Sequence, residues 1–435
     1  MAKPSLAAVS SISSNRPDWL VKFGSRLKAA RGRAGLTQEA LGAPDLGKSF
    51  ISLLESGNSY PSVETTVALS RRARVSVASL LFDTAELRLE TAFNLIQLAW
   101  DMDPVSQGAE AVRFSETAEA MLPDMPAELR VRTTLTRARV AMAANKMDEA
   151  ATLAQEAAVR ARRSQLESAL GLALCIRGIV EERRGVFPRA VVTLERAIDH
   201  MRRTKSIRTE EGVWALLSLG AARLRMNEVN RAQRAYRRAQ YIAERLDMPR
   251  LHGRALTGLG LIEWAAGRLD QAVDLLSRAY EVFEQAEDLA EVGRVLTNLG
   301  RVRREQGLHA EALSVLEKAL RIRERQADLR GCSATRDEIS AVLLAMGRLG
   351  EAAAAARRAI NDARTSGDRA RSAVAKVTMA RVLRTGKQRG RAVRLLRDAV
   401  AGFDRLGMTK ESASASEELR ALVVDLKSPT AAVGD

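Results

Sequence analysis

Cysteine, histidine and aromatic side chains are scarce in this 435-residue chain, and each scarcity removes a class of protein. Two cysteines, Cys175 and Cys332, cannot build a disulfide framework and point to a reducing cytoplasm. Three isolated histidines, His200, His252 and His309, offer no local metal-ligand spacing, so neither a metal nor any other cofactor is expected. No run of 18 uncharged apolar residues occurs, and the first 16 residues carry one lysine and a Ser-rich stretch without an apolar centre. Neither a membrane span nor a secretory leader is expected, which again reads as cytoplasmic. Aromatic residues make up only 4% although hydrophobic residues reach 46%, so the apolar content is Ala, Leu and Val, the side chains of closely packed helices. Val/Ile-rich strand runs are missing as well, so the expected fold class is all-α.

Acidic residues number 53 against 69 basic ones, a formal charge of +16 that favours an anionic partner. Only 11 of the basic residues are lysine and 58 are arginine, an excess that partly matches GC-rich coding. No paired carboxylates, no nucleophile with an adjacent base and no metal cluster emerge from the spacing, so catalysis is not expected.

Residues 1–16 read as a mobile arm. Residues 17–83 break into five short helices separated by Gly35-Leu36-Thr37, Asp45-Leu46-Gly47, Ser56-Gly57-Asn58 and Ala73-Arg74-Val75. Beyond them the chain repeats itself. Alanines 150, 190, 232, 272, 312, 352 and 392 are each followed seven residues later by another alanine, at spacings of 40, 42, 40, 40, 40 and 40. Twelve residues before each anchor stands Ala138, Gly178, Gly220, Gly260, Gly300, Ser340 or Ala380, small enough for two helices to touch. Five before it stands Asn145, Gly185, Asn227, Gly267, Gly307, Gly347 or Lys387; Gly and Asn suit the left-handed turn that ends a helix. Each unit is therefore helix A, turn, helix B. The pattern resembles the tetratricopeptide (TPR) repeat, with seven pairs over 127–408 and longer helices than usual. Residues 84–126 read as linker helices or a degenerate further pair, 409–427 as a capping helix and 428–435 as a disordered tail.

In the N-terminal region, Leu36-Thr37-Gln38-Glu39-Ala40-Leu41, Lys48 to Gly57 and Tyr60-Pro61-Ser62-Val63-Glu64-Thr65 resemble the Xre/Cro-type helix-turn-helix, which implies a five-helix λ-repressor-like DNA-binding domain. Thr37 suits the N-cap of the second helix and would leave Gln38 facing a phosphate. Lys48, Ser49, Ser52 and Leu53 would face the major groove, while Phe50, Ile51 and Leu54 face the core. The family pairs an arginine of helix 1 with a glutamate ending helix 3, and the matching residues are Arg31 and Glu55. Gly42 to Ser49 also matches the phosphate-binding pattern G-x-x-x-x-G-K-[ST]; that loop requires a preceding buried strand, and the sequence offers a helix instead.

The TPR resemblance implies a right-handed α-solenoid whose A helices line a ligand groove. Its groove positions select Arg132, Arg139, Trp214, Arg254, Thr257, Trp264, Arg294, Arg301, Arg304 and Arg381, with Asn298 alongside. Arginines with two tryptophans suit a short peptide carrying a carboxylate and apolar side chains. Domain order resembles the RRNPP-type peptide-responsive quorum-sensing regulators. The resemblance implies a homodimeric transcription factor that binds double-stranded DNA and a peptide or protein ligand; the rival reading is a TPR scaffold, DNA-anchored or free, that recruits a protein partner without a small effector.

Overall fold

The computed structural model describes residues 18–82, 84–104 and 106–427. The arm at 1–16 and the tail at 428–435 lie outside them. Among the described residues there are 22 α-helices and no strand. Two compact units divide the chain, residues 1–164 and 165–435.

The first unit begins with five helices, α1 (Asp18–Arg33), α2 (Gln38–Gly42), α3 (Lys48–Glu55), α4 (Val63–Arg72) and α5 (Val77–Leu81). Their apolar faces converge on one cluster: Phe23, Leu27 and Ala30 from α1, Leu41 from α2, Ile51 and Leu54 from α3, Leu69 from α4 and Leu80 from α5. Polar caps start three of these short helices. Thr37, Ser62 and Ser76 each accept from the backbone N–H three residues on, satisfying donors that a first turn leaves unpaired. Gly24 lets α1 cross the end of α3, because a Cβ there would stand 2.5 Å from the carbonyl oxygen of Leu54. The unit continues with α6 (Thr84–Asp101), α7 (Gly108–Met121), α8 (Ala127–Ala143) and α9 (Met147–Arg163), in which α6 packs on α7 and α8 on α9.

The second unit holds six helix pairs: α10 (Glu167–Arg183) with α11 (Phe187–Arg203), α12 (Glu210–Arg225) with α13 (Val229–Arg245), α14 (Pro249–Ala265) with α15 (Leu269–Gln285), α16 (Leu289–Glu305) with α17 (His309–Arg325), α18 (Leu329–Ala345) with α19 (Leu349–Thr365), and α20 (Arg369–Thr385) with α21 (Arg389–Arg405). A last helix, α22 (Thr409–Lys427), packs on α21. The first helices of successive pairs also pack on one another from α10 to α20, so they form the inner layer of the unit and the second helices the outer one.

The repeat anchors explain this packing. Each pair of alanines in α11, α13, α15, α17, α19 and α21 is fully buried. The small residue of helix A faces a knob 16 positions later on helix B: a Cβ at Gly178, Gly220, Gly260 or Gly300 would stand 2.4–2.9 Å from Leu194, Tyr236, Leu276 or Leu316. All seven turn positions, Asn145 to Lys387, adopt a left-handed φ of 58–79°. A second left-handed turn closes each helix B, at Gln165, Lys205, Asp247, Glu287, Ala327, Gly367 and Gly407.

Candidate functional site

The α3 face comes first. Gly47 caps α3 without a side chain, and Lys48, Ser49 and Ser52 are exposed in its first turns, with Leu53 45% exposed beside them. Ile51 and Leu54 are fully buried on the opposite side, so the helix cannot rotate about its axis without exposing apolar surface. Its C-terminal end is locked: Arg31 Nε donates to Glu55 Oε1 at 2.6 Å, Arg31 Nη2 to Oε2 at 3.1 Å and Arg31 Nη1 to the Leu36 carbonyl at 3.0 Å. Gln38 Nε2 adds a bond to Glu55 Oε2 at 2.8 Å. Burial pushes the Glu55 carboxyl up, but the hydrogen bonds from Arg31 and Gln38 and the charges of Arg31 and Lys28 outweigh it, so its pKa falls.

This network includes a residue expected to contact DNA. The Gln38 amide nitrogen, expected at a phosphate, donates to Glu55 Oε2, which also accepts from Arg31, on a nearly buried carboxylate. Arg72 is structural too: it donates to the carbonyls of Leu41 and Gly42 at 3.3 and 3.0 Å and to Asp45 at 2.8 Å, clasping the α2–α3 turn. The G-x-x-x-x-G-K-[ST] match runs from the end of α2 to the start of α3, with no strand before it, so it does not form the phosphate loop.

The expected ligand-groove residues divide into three groups. In the first unit, Arg132 and Arg139 do not stand free: both guanidinium groups lie over the Trp100 ring, 4.9 and 4.3 Å from its centroid, and Arg139 Nη1 donates to the Trp100 carbonyl at 2.7 Å. In the second unit, most groove arginines hold carboxylates of the next inner helix. Arg254 meets Glu291 at 2.8 Å, Arg301 meets Glu338 at 2.9 Å and Arg381 meets Glu418 at 3.0 Å, each pair 37 residues apart. Arg294 shares Glu291, and Arg304 lies 3.8 Å from Glu338. Trp264 donates its indole N–H to Glu305 at 2.7 Å and carries the Arg301 guanidinium 4.6 Å from its ring centre. Thr257, expected in the groove, is buried, and its hydroxyl donates to the Gly253 carbonyl one turn earlier on α14, so it is not open to a ligand. Trp214 is half-buried on α12. Asn298 is half-buried on α16, and among the described residues its amide has no hydrogen-bond partner.

Sequence reasoning missed a set of inner-layer groups. Arg183 is solvent-exposed on α10, yet burial of its surroundings lowers its pKa and the charges of Arg254 and Arg294 lower it further, against an opposing pull from Glu182. The charges of Arg183, Arg254 and Arg294, on α10, α14 and α16, thus act on one another. Burial raises the Glu182 carboxyl, while Arg183 and Arg225 pull it down. Tyr236 reaches between inner helices from the outer layer. Its ring passes between Gly220 and Gly258, where Cβ atoms would stand 2.9 and 2.3 Å away, and its hydroxyl feels Glu182, Arg225 and Arg294. Two glycines 38 residues apart with a tyrosine between them in sequence were the available signal.

Asp337 on α18 is 9% exposed, and its Oδ1 has no hydrogen-bond partner. Burial and the Glu338 charge raise its pKa to about 6, against the Thr378 hydrogen bond and the charges of Arg371 and Arg381. The folded state therefore binds this proton more tightly than the unfolded chain, and stability is lost as pH rises from about 4 to about 6. Asp337→Asn removes the ionisation penalty. Its melting temperature is expected above wild type at pH 8, by the equivalent of about 1–3 kcal/mol, with the two converging at pH 4; a constant offset in paired melts would refute the assignment.

Both cysteines are buried, and burial pushes both thiols up, so neither is poised as a nucleophile. Among the described residues no three His, Cys, Asp or Glu side chains gather as metal ligands, and no helix is long and apolar enough to cross a membrane.

A family model described as "Tetratricopeptide repeat" matches residues 251–325, which cover α14 to α17. Among solved structures, the chain is similar to a Rap protein complexed with competence and sporulation factor, at 16% identity and a TM-score of 0.56, covering 79% of this chain and 99% of that one. It is also similar to the apo form of RapI, at 14% identity and a TM-score of 0.51, with the same coverages. A weaker likeness, 15% identical with a TM-score of 0.39, is to PlcR of Bacillus thuringiensis in complex with the peptide PapR7 and DNA; it covers 63% of this chain and 99% of that one. No curated protein matches the chain. The repeat match and the two Rap likenesses establish an all-helical, TPR-like fold.

Proposed function

We propose that this protein is a DNA-binding transcriptional regulator in which α3 reads the major groove and the inner helices of the repeats bind a regulatory peptide or protein. The observation that carries the first half is the α3 face. Lys48, Ser49, Ser52 and Leu53 are exposed on a helix whose opposite side is buried and whose end is fixed by Arg31, Gln38 and Glu55. A rigid helix presenting a cation, two hydroxyls and an aliphatic tip can read base edges and a thymine methyl. The protein acts as a homodimer, and a two-fold operator follows from that symmetry.

The second half rests on the inner layer. Asn298 offers an uncommitted amide for a peptide backbone, and the charges of Arg183 and Arg225, which act on Glu182, suit a ligand carboxylate. A similar fold that holds competence and sporulation factor in a Rap protein supports a ligand of this kind. An incoming carboxylate competes with Glu291 and Glu338 for Arg254 and Arg301, pairs that now link successive inner helices. Such exchange changes the pitch of the repeats and, through the dimer, the half-site spacing, which couples ligand to DNA affinity in both directions.

Selection of bound duplexes from a random DNA pool tests the first half. A two-fold symmetric site is expected, and Lys48→Ala/Ser49→Ala is expected to lose about tenfold to several hundredfold of the preference for that site over random sequence. A pool that yields no shared sequence, or a double variant that keeps the preference, overturns the reading.

A further inference from the structure

The outward face of α13 is more cationic than the faces of α15 and α17, two helices that repeat it. At positions 231, 234, 237, 238, 241 and 245 it carries Arg, Arg, Arg, Arg, Tyr and Arg. The same six positions one repeat later, on α15, read Gln, Asp, Ser, Arg, Glu and Gln, and on α17 they read Glu, Ser, Glu, Lys, Arg and Arg. On α21 they read Arg, Arg, Arg, Asp, Ala and Arg, so what sets α13 apart is Arg238 and Tyr241, where α21 has Asp398 and Ala401. Arg231, Arg234, Arg238, Tyr241 and Arg245 follow one another at alternating steps of three and four, which aligns them along a single stripe about 21 Å long.

The stripe lacks neutralising partners. Arg231 meets Glu228 at 3.3 Å, but among the described residues no carboxylate lies within ion-pair distance of Arg234, Arg237 or Arg238. Tyr241 is 56% exposed with the Arg245 guanidinium 5.7 Å from its ring centre. Further cations come from an irregularity in the array. The connection before α12, residues 204–209, has six residues where the other connections between pairs in this unit have three, and it adds Lys205 and Arg208, both exposed. Arg238 is partly buried and stands close enough to Arg202 and Arg208 that burial first, and then those two charges, lower its pKa. Arg202 also meets Asp199 at 3.1 Å, but among the described residues no carboxylate lies within ion-pair distance of Arg208 or Arg238, and a polyanion relieves that repulsion.

We infer that the α13 face and the 204–209 connection form a second nucleic-acid contact that holds the phosphate backbone of duplex DNA without reading its sequence. Duplex DNA is the polyanion that suits the geometry. Each of its strands carries one phosphate about every 3.4 Å of helix axis, so a stripe about 21 Å long runs past several of them. Tyr241 adds a hydroxyl donor to a phosphate oxygen. This surface is separate from α3, so it stands or falls independently of major-groove reading.

Counterion release supplies the test. Binding of the full chain to a random-sequence 30-base-pair duplex is followed by fluorescence anisotropy between 50 and 200 mM KCl. Arg234→Ala/Arg237→Ala/Arg238→Ala is expected to reduce the slope of log affinity against log salt by about two to three and the affinity at 0.1 M salt by at least ~10-fold. Arg357→Ala/Arg358→Ala/Arg364→Ala on α19 removes the same charge from exposed positions elsewhere and is expected to leave the slope within about one of wild type. Lysine at 234, 237 and 238 is expected to restore the slope. An unchanged slope in the α13 alanine variant, an equal loss in the α19 variant, or no restoration by lysine overturns the inference. Loss of sequence preference in Lys48→Ala/Ser49→Ala is read in the selection experiment and does not enter this slope comparison.

Discussion

Arg31→Ala should cost the N-terminal helices about 3–5 kcal/mol, enough to unfold α1 to α5 at neutral pH in a large fraction of molecules. The reason is the asymmetry of a buried ion pair. Arg31 makes two of the three side-chain hydrogen bonds that Glu55 receives, and the Glu55 side chain is 4% exposed. Removing the guanidinium leaves a desolvated carboxylate with Gln38 alone. The sign of the pH dependence should reverse with it. In wild type the Glu55 pKa is lowered, so the pair contributes stability above the ordinary carboxylate range and loses it as pH falls through the folded-state value. In Arg31→Ala burial dominates, the folded state prefers the protonated acid, and stability should rise as pH falls from 7 toward 5. Urea melts followed by the fluorescence of Trp19, which stacks on Tyr60 with ring centroids 5.9 Å apart, report on this region. A variant within about 1 kcal/mol of wild type at pH 7, or one that still loses stability on mild acidification, would show the pair to be a surface interaction. Because Glu55 ends α3, the same variant should lose specific DNA binding under conditions where the repeats remain helical.

The periodic part of this molecule was legible because its constraints are steric and recur. A helix-B alanine that must be fully buried, a helix-A glycine that must admit a leucine, and a turn residue that must take a left-handed φ each leave a trace every 40 residues. Even Lys387, the one turn residue that is neither Gly nor Asn, occupies the expected conformation. The second turn of each unit escaped notice for the opposite reason: Gln165, Lys205, Asp247, Glu287 and Ala327 take left-handed φ values of 51–60° where side-chain identity gives no hint. The groove was the least legible part. An arginine on an inner helix looks the same in sequence whether it waits for a ligand or holds Glu291, Glu338 or Glu418. The distinguishing signal was a 37-residue spacing between Arg and Glu, close to but different from the repeat itself. Tyr236, which reaches between inner helices from the outer layer, falls outside groove candidates drawn from helix A positions alone.

Tyr236 is therefore where packing and ligand recognition can be separated by mutation. Its ring fills the gap that Gly220 and Gly258 leave between α12 and α14, and the residue is 6% exposed. Tyr236→Ala should empty that gap and destabilise the second unit by about 3–5 kcal/mol. Gly258→Ala should be comparably harmful alone, since its new Cβ would meet ring atoms at 2.3–2.6 Å. In the double variant the methyl group enters space the ring has vacated, so the two losses should not add; a coupling of about 2 kcal/mol or more is expected from a double-mutant cycle of thermal melts. Strict additivity would mean that the ring does not occupy the inter-helix gap. Tyr236→Phe completes the argument, because it keeps the ring and deletes only the hydroxyl that faces Glu182, Arg225 and Arg294. Its melting temperature should stay within a degree or two of wild type, while binding of a carboxylate-bearing peptide to the inner layer should weaken by about tenfold. If Phe binds as well as Tyr, the residue serves packing alone and the ligand lies elsewhere along the inner helices.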